Sequence, residues 1–310
     1  MSSVRAVIDI GTNSTKVLVG RVTGDDVESL YEESIQTRLG EGLYDNNRLL
    51  PLAIERTARV LADFCEKARE LNSESIRIFA TSAARDAENG DDLAKAVRDV
   101  SGVDLEIIEG TREAELVCRG VISQGIPDES LFIVDVGGGS TEFIVGHQGR
   151  VMASVSLQLG SVRLLSNSHH PDPPGKEGLR ACIDWVREFL EANAKPVFAD
   201  TLSSLPSPLD TVAGAGGTTT FLGLIHLQQD EFDRPRLEAI RFSKAETEAL
   251  TGRLWTLPLD ERQQLVGLPA NRADVILFGA AIYLAIMECF DLSHLQVNTR
   301  GVRFGGLLAP

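Results

Sequence analysis

The sequence predicts an α/β protein of two tandem domains, each a mixed five-stranded sheet flanked by helices, with an active-site cleft between them. Two observations carry this. One glycine-rich motif occurs twice at a fixed spacing, and each copy opens a similar series of strand-like and helix-like segments.

Residues 133–146 read IVDVGGGSTEFIVG. The pattern is a buried strand ending on Asp135, a tight turn at Gly137, Gly138 and Gly139, then Ser140-Thr141-Glu142 opening a second strand. Glycines let backbone N–H groups crowd round a ligand that side chains would block. A turn of such groups makes a nest for an anion, normally a phosphate. Asp135 and Glu142 flank the nest and would repel phosphate unless a divalent cation sits between them. Alone, a run of three glycines is better read as a plain hairpin. Residues 7–20, VIDIGTNSTKVLVG, repeat it 126 positions upstream without a gap. Asp9 matches Asp135, Gly11 matches Gly137, Ser14 matches Ser140 and Thr15 matches Thr141, while Lys16 stands opposite Glu142. Internal repetition fixes architecture before any other signal.

The totals agree. A chain of 310 residues suits roughly two domains, here 1–125 and 126–310, with the tail after 300 able to pack back on the first. Apolar content of 43% and charged content of 24% suffice for two cores. A net charge of −15 argues against a general nucleic-acid binder. An anionic substrate would then need a local basic groove or bound cations. Cys65, Cys118, Cys182 and Cys289 form no CxxC pair and read as reduced thiols. No basic stretch leads into an apolar run and cleavage site, and no apolar run reaches the roughly 20 residues that span a bilayer. The expectation is a cytoplasmic protein with no membrane contact.

In chain order, residues 4–10, 16–22 and 27–35 read as strands, the last two joined at Gly24-Asp25-Asp26. Residues 36–42 are a polar glycine-rich loop. Pro51 begins a helix whose Ile54, Ala58, Leu61, Ala62, Cys65 and Ala68 recur at helical spacing. Residues 76–80 are a strand ending at Thr81 to Arg85, 91–100 a helix and 103–108 a strand. This is the element order of a ribonuclease H-like fold. Thr111 is the expected N-cap of the next helix, running towards Gly125. Glu113 and Glu115 then lie in a first turn, where the helix dipole favours negative charge regardless of function.

Ile126-Pro127-Asp128 reads as the linker. Residues 131–136, 142–146 and 151–157 are the next three strands, followed by the loop Leu159-Gly160-Ser161-Val162-Arg163. The stretch 169–175 is a loop by composition, and its adjacent His169 and His170 lack an acidic partner at helical spacing. Helices are expected over 177–192, 258–266 and 272–289. Residues 210–217 read as a strand entering another glycine turn, Gly214, Gly216, Gly217 and Thr218, with a helix behind it. A last strand covers 295–298. The tail 292–310 carries Arg300, Arg303 and no acid, so it is either a local basic element or two solvated arginines.

Glycine turns after strands suit phosphoryl transfer, which needs a metal to offset charge, a group to orient the nucleophile and a cation on the phosphoryl oxygens. Asp135 and Glu142, with Asp9 possible, are the metal candidates, and Arg85 is the cation candidate. The motifs DIGTNS (9–14), RLGEGL (38–43), ATSAAR (80–85), EGTREAE (109–115), VDVGGGSTE (134–142), LGSVR (159–163), GAGGT (214–218) and RADVILFGAAI (272–282) span nearly the whole chain. Together they resemble the exopolyphosphatase / guanosine pentaphosphate phosphohydrolase family, within the actin–sugar kinase–heat-shock-chaperone superfold, and specifically its short two-domain members.

The resemblance implies hydrolysis of terminal phosphate from inorganic polyphosphate or from guanosine pentaphosphate, a nucleotide of the stringent response. It implies Glu113, not Glu115, as the group that activates water, and Mg2+ or another divalent cation near Asp135 and Glu142. Asp9, Gly11, Thr12, Asn13 and Ser14, with Gly137, Gly138, Gly139, Ser140 and Thr141, are the expected phosphate cradle. Arg163, Arg300 and Arg303 are candidate polyanion contacts. Relatives are commonly dimers, so a homodimer is an open expectation. The segment 297–305 departs from the family pattern: Thr299 and Phe304 stand where acids are usual. An ATP-dependent kinase and a non-enzymatic nucleotide or polyphosphate sensor are the rival readings.

Overall fold

A computed structural model describes residues 2–123, 130–168 and 170–309. The expected linker Ile126-Pro127-Asp128, Gly125 and His169 lie outside the described residues. The chain divides into two compact units, Met1–Ile126 with Arg300–Pro310, and Pro127–Thr299. The final eleven residues therefore group with the first unit.

In the first unit β1 (Ser3–Ile10), β2 (Thr15–Thr23), β3 (Asp26–Ile35), β4 (Ser75–Ala80) and β5 (Leu105–Ile107) form a sheet of order β3-β2-β1-β4-β5. The first three strands are antiparallel, and β4 and β5 join parallel. Ala6 to Ile10 are all buried, as a central strand covered on both faces requires. Helix Pro51–Glu70 starts on a proline whose missing N–H costs nothing there. It buries Ala53, Ile54, Thr57, Ala58, Leu61, Phe64, Cys65 and Ala68 on one face. Of these, Ile54, Leu61, Phe64, Cys65 and Ala68 join Ile8, Ile10, Val17, Val19 and Ile78 in the core.

The second unit contains β6 (Ser130–Val136), β7 (Thr141–His147), β8 (Arg150–Leu157), β9 (Thr211–Ala215), β10 (Arg241–Ser243) and β11 (His294–Val297). Its order is β10-β11-β9-β6-β7-β8. Five of these strands repeat the first sheet, so both units have the ribonuclease H-like order. The sixth corrects the expectation of five: β10 adds antiparallel to β11. Its three residues are too short to show alternation in sequence. It runs straight into a capping box, with Ser243 and Glu246 exchanging hydrogen bonds at the start of helix Lys244–Thr256. That helix also escaped the sequence reading, because two of its buried positions are the threonines 247 and 251. Helix Ile276–Cys289 is buried at thirteen of its fourteen residues and forms the centre of the second core, with Trp255 donating its indole N–H to Leu277 O at 2.8 Å.

The duplication extends to irregularities. The β2–β3 register shifts between Val19 and Gly20, and the β7–β8 register shifts between Val145 and Gly146. Both bulges lie at the same place in the repeat.

Helix Val302–Leu308 packs in the first unit against helix Gly110–Val121. A Cβ on Gly305 would overlap the carbonyl of Leu116, and one on Gly120 would overlap that of Gly301. Backbone meets backbone here, so no side chain can yield. Gly305→Ala should therefore destabilise the protein by about 2 kcal/mol or more, seen as a lowered Tm. An unchanged Tm would show that this contact does not hold the two helices together.

Candidate active site

Asp9 and Lys16 face each other across β1–β2, and Asp135 and Glu142 face each other across β6–β7. The turns between them close with the same bond. Gly11 N–H donates to Ser14 O at 3.0 Å, and Gly137 N–H donates to Ser140 O at 3.0 Å. Added Cβ atoms would lie 3.2 Å and 2.9 Å from those oxygens, which explains glycine at both positions. It also means that these two amides belong to the turns themselves.

The carbonyls of each turn are drawn to one side by a neighbouring loop. Arg38 N–H donates to Asn13 O at 3.0 Å and Gly40 N–H to Thr12 O at 2.8 Å. In the second unit Ser161 N–H donates to Gly137 O, Val162 and Arg163 N–H to Gly138 O, and Arg163 Nε to Gly139 O at 2.9 Å. Gly40 and Gly160 permit these approaches, since a Cβ on either would overlap Thr12 or Gly138. In a trans peptide the C=O and the following N–H point in opposite directions. Pulling the carbonyls one way therefore turns the amides of Asn13, Ser14, Gly138, Gly139 and Ser140 the other way. Each turn thus becomes a row of donors suited to anionic oxygens.

The first unit also carries Glu113, the candidate acid–base group. Glu109, not Thr111, caps helix Gly110–Val121, so the helix starts earlier than the sequence suggested and ends at Val121. Glu113 is only 7% exposed. Its Oε2 accepts from Arg85 Nη1 at 2.9 Å. Arg85 follows β4 in the short helix Ser82–Asp86, and the same Nη1 donates to Ile108 O at 2.6 Å. Both of these bonds run through Nη1, which leaves the guanidinium further donors on Nη2 and Nε. Glu115 is exposed and pairs with Arg112. The two glutamates of one first turn thus have separate fates: Glu113 is buried on a partly buried arginine, and Glu115 is paired in the open.

Asp9 is buried to 8% exposure, and its Oδ1 has no hydrogen-bond partner. Lys16 Nζ lies 4.0 Å from Oδ2. Burial pushes the carboxyl above the usual carboxylate range, against the opposing pull of Lys16 and then Arg303.

In the second unit Glu142 is 1% exposed, and its Oε1 accepts from Ser140 Oγ at 2.8 Å and Ser156 Oγ at 2.7 Å. The Asp135 carboxylate lies over Gly216, where a Cβ would overlap Oδ1 and where φ is +85°. Among the described residues no group of three or more His, Cys, Asp and Glu side chains is arranged to hold a metal. A carboxylate pair beside phosphate donors still fits a hard cation such as Mg2+, which takes one or two carboxylates and completes its shell with water and phosphate oxygens.

Other expected contacts are placed differently. Gly214 lies within β9, close to Thr219, Leu295 and Tyr283, and its carbonyl accepts from Asn298 N–H and Thr219 Oγ1. The Thr218 hydroxyl donates to Val136 O at 3.3 Å, and that of Thr141 to Leu159 O. Gly216 and Gly217 open helix Gly216–Leu227. Arg300 is only 8% exposed, against the Phe304 ring and Ser123 Oγ. Arg303 donates to Val17 O and lies 3.7 Å from Glu32. Both arginines thus take part in the packing of the first unit, and neither is simply solvated. Thr299, where an acid was expected, accepts from Arg234 Nε and donates to Glu238 Oε1. Sequence reasoning missed Ser156, and it missed Tyr283, whose hydroxyl lies 3.0 Å from Val134 O and 3.1 Å from Ala215 O at the ends of β6 and β9. Tyr283 falls inside the 272–282 motif's own helix, one residue past its end, which was the available signal.

Asp9 yields a stability prediction. A carboxyl whose folded pKa is raised binds its proton more tightly in the folded state, so the stability difference against a neutral isostere grows as pH rises above the unfolded value of about 4. Asp9→Asn should raise the Tm of the ligand-free protein, by more at pH 8 than at pH 5. A lower Tm at both pH values would contradict the assignment of Asp9 as a destabilising buried charge.

The comparisons with known proteins agree with this geometry. Residues 17–309 match the Ppx/GppA phosphatase family. The chain is 34% identical over 288 residues to exopolyphosphatase 2 of Mycobacterium tuberculosis, covering 89% of this chain and 88% of that protein. It is 30% identical over 319 residues to the bifunctional 3-dehydroquinate synthase/phosphatase of Fusobacterium nucleatum, covering 98% of this chain and 46% of that one. The solved structure of the Aquifex aeolicus PPX-GPPA enzyme superposes with a TM-score of 0.81 at 26% identity over the full length of both chains. The chain belongs to the Ppx/GppA phosphatase family and is a phosphatase hydrolase.

Proposed function

We propose that the protein is an exopolyphosphatase that removes terminal phosphate from inorganic polyphosphate with the help of a divalent cation, Mg2+ in the first instance. The observation that carries the reading is the Arg85–Glu113 pair, a partly buried cation on a buried carboxylate, in the same unit as a turn whose carbonyls are held to one side. The exopolyphosphatase named above as a relative supports it.

In this reading the amides of the two turns hold phosphoryl oxygens. Glu113 accepts a proton from water as the water oxygen bonds to the terminal phosphorus. The bond from that phosphorus to the bridging oxygen breaks, releasing phosphate and a chain shorter by one unit. Arg85 both fixes the carboxylate of Glu113 and offers its remaining donors to the terminal phosphoryl group. Asp135 and Glu142 would hold the cation, with Ser140 and Ser156 orienting Glu142. When bound, the cation would offset negative charge on the phosphoryl oxygens.

Glu113→Gln should lower kcat for polyphosphate by roughly 10²–10⁴-fold while polyphosphate binding persists. Near-normal turnover would remove Glu113 from the role. Phosphate release from polyphosphate and from guanosine pentaphosphate, each with and without Mg2+, tests the substrate and the cation. Faster turnover of the nucleotide would replace the polyphosphate assignment with guanosine pentaphosphate phosphohydrolase activity. Full activity in chelator would overturn the cation role.

A further inference from the structure

Thr15 and Thr141 hold matching places in the repeat, as the first residues of β2 and β7. Each follows its glycine turn directly and pairs back across it, Thr15 with Ile10 and Thr141 with Val136. On the other side Thr15 pairs with Ile35 of β3, and Thr141 with Leu157 of β8. Both threonines are fully buried. Valine would fill a buried strand position at least as well, without the cost of taking a hydroxyl out of water.

Both hydroxyls are used in the same way. Each reaches the residue two places beyond the partner on the neighbouring strand. Thr15 Oγ1 lies 3.0 Å from Thr37 Oγ1, and Thr141 Oγ1 donates to Leu159 O at 2.5 Å. Thr37 and Leu159 are fully buried too. They stand at the roots of the two loops that take the turn carbonyls. In the first unit Arg38 and Gly40 then supply the N–H groups on Asn13 O and Thr12 O. In the second, Ser161, Val162 and Arg163 supply those on Gly137 O and Gly138 O. The partner is a hydroxyl in one copy and a carbonyl in the other, yet the bond joins the same two places in the repeat.

We propose that Thr15 and Thr141 are positioning residues of the phosphatase site. Each ties the loop beside its turn to the strand that follows the turn, so that the loop's N–H groups keep the turn carbonyls on one side and the free amides on the other. Neither hydroxyl touches substrate. This rests on the reading above in which those amides hold phosphoryl oxygens.

Thr15→Val and Thr141→Val remove the hydroxyl and keep the β-branched shape. Each should raise KM for polyphosphate roughly tenfold, the effect of leaving one buried polar group without its partner, with a much smaller change in kcat. Thr15→Ser and Thr141→Ser should restore most of the KM. Thr37→Val should reproduce Thr15→Val, and the double variant should exceed neither, since both remove the same bond. Thr251→Val is the control. The Thr251 hydroxyl is also buried and donates to Thr247 O at 2.7 Å within one helix, so its loss should lower Tm and leave KM unchanged. The same series on guanosine pentaphosphate judges the threonines should polyphosphate not be turned over.

An unchanged KM in either valine variant overturns the role of that threonine. A KM that serine fails to restore, additive losses at 15 and 37, or an equal rise in Thr251→Val does the same. Amide shifts on titration with tripolyphosphate separate this proposal from the reading beneath it. If Asn13, Ser14, Gly138, Gly139 and Ser140 do not respond in the wild-type protein, the amide reading falls and the threonine tie with it. If they respond alike in wild type and valine variants, only the threonine tie falls.

Discussion

The structure depends on where the carbonyls of two short turns are sent. Gly11 and Gly137 close their turns with the same hydrogen bond, and a Cβ at either would crowd the accepting oxygen. A second loop in each unit then takes the outward carbonyls, by backbone donors at 38 and 40 in the first unit and by backbone donors plus the Arg163 side chain in the second. Planar trans peptides convert that pull into donors facing the opposite way. In the first unit backbone donors alone build this feature, which is how so acidic a chain can still offer an anion site.

Chemistry is added to the repeat by the places where the copies differ. Lys16 stands opposite Asp9 while Glu142 stands opposite Asp135. The first unit keeps a buried carboxylate with an unsatisfied oxygen, a condition that costs stability and is retained at functional positions. The second holds its acid with two serine hydroxyls. The Arg85–Glu113 pair has no counterpart assigned in the second unit, so the candidate hydrolytic group belongs to one copy of a duplicated frame. Membership of a phosphatase family, together with that pair, displaces the kinase reading.

Much of this was legible in sequence for identifiable reasons. The duplicated hairpin was visible because identical residue types recur at one spacing, and the strand order followed from it. Glu113 was separated from Glu115 only through the resemblance, since both satisfy the same helix dipole; in the structure, burial and Arg85 separate them. The Arg85–Glu113 contact joins residues 28 apart and leaves no periodic trace. Ser156 and Tyr283 were missed because a hydroxyl that serves a carboxylate or a carbonyl looks like any other hydroxyl in a strand or a buried helix. The tail arginines were read from charge alone, whereas Val302, Phe304 and Leu307 bury that segment and take Arg300 with them.

The central claim is that the amides turned away from those held carbonyls grip phosphate. Amide resonances of isotopically labelled Glu113→Gln protein, titrated with tripolyphosphate, test it most directly. The account predicts large, saturable shifts at Asn13, Ser14, Gly138, Gly139 and Ser140, with little change at the amides of Gly11 and Gly137, which already donate within their turns. Shifts confined to surface arginines, with those five amides unmoved, would contradict it.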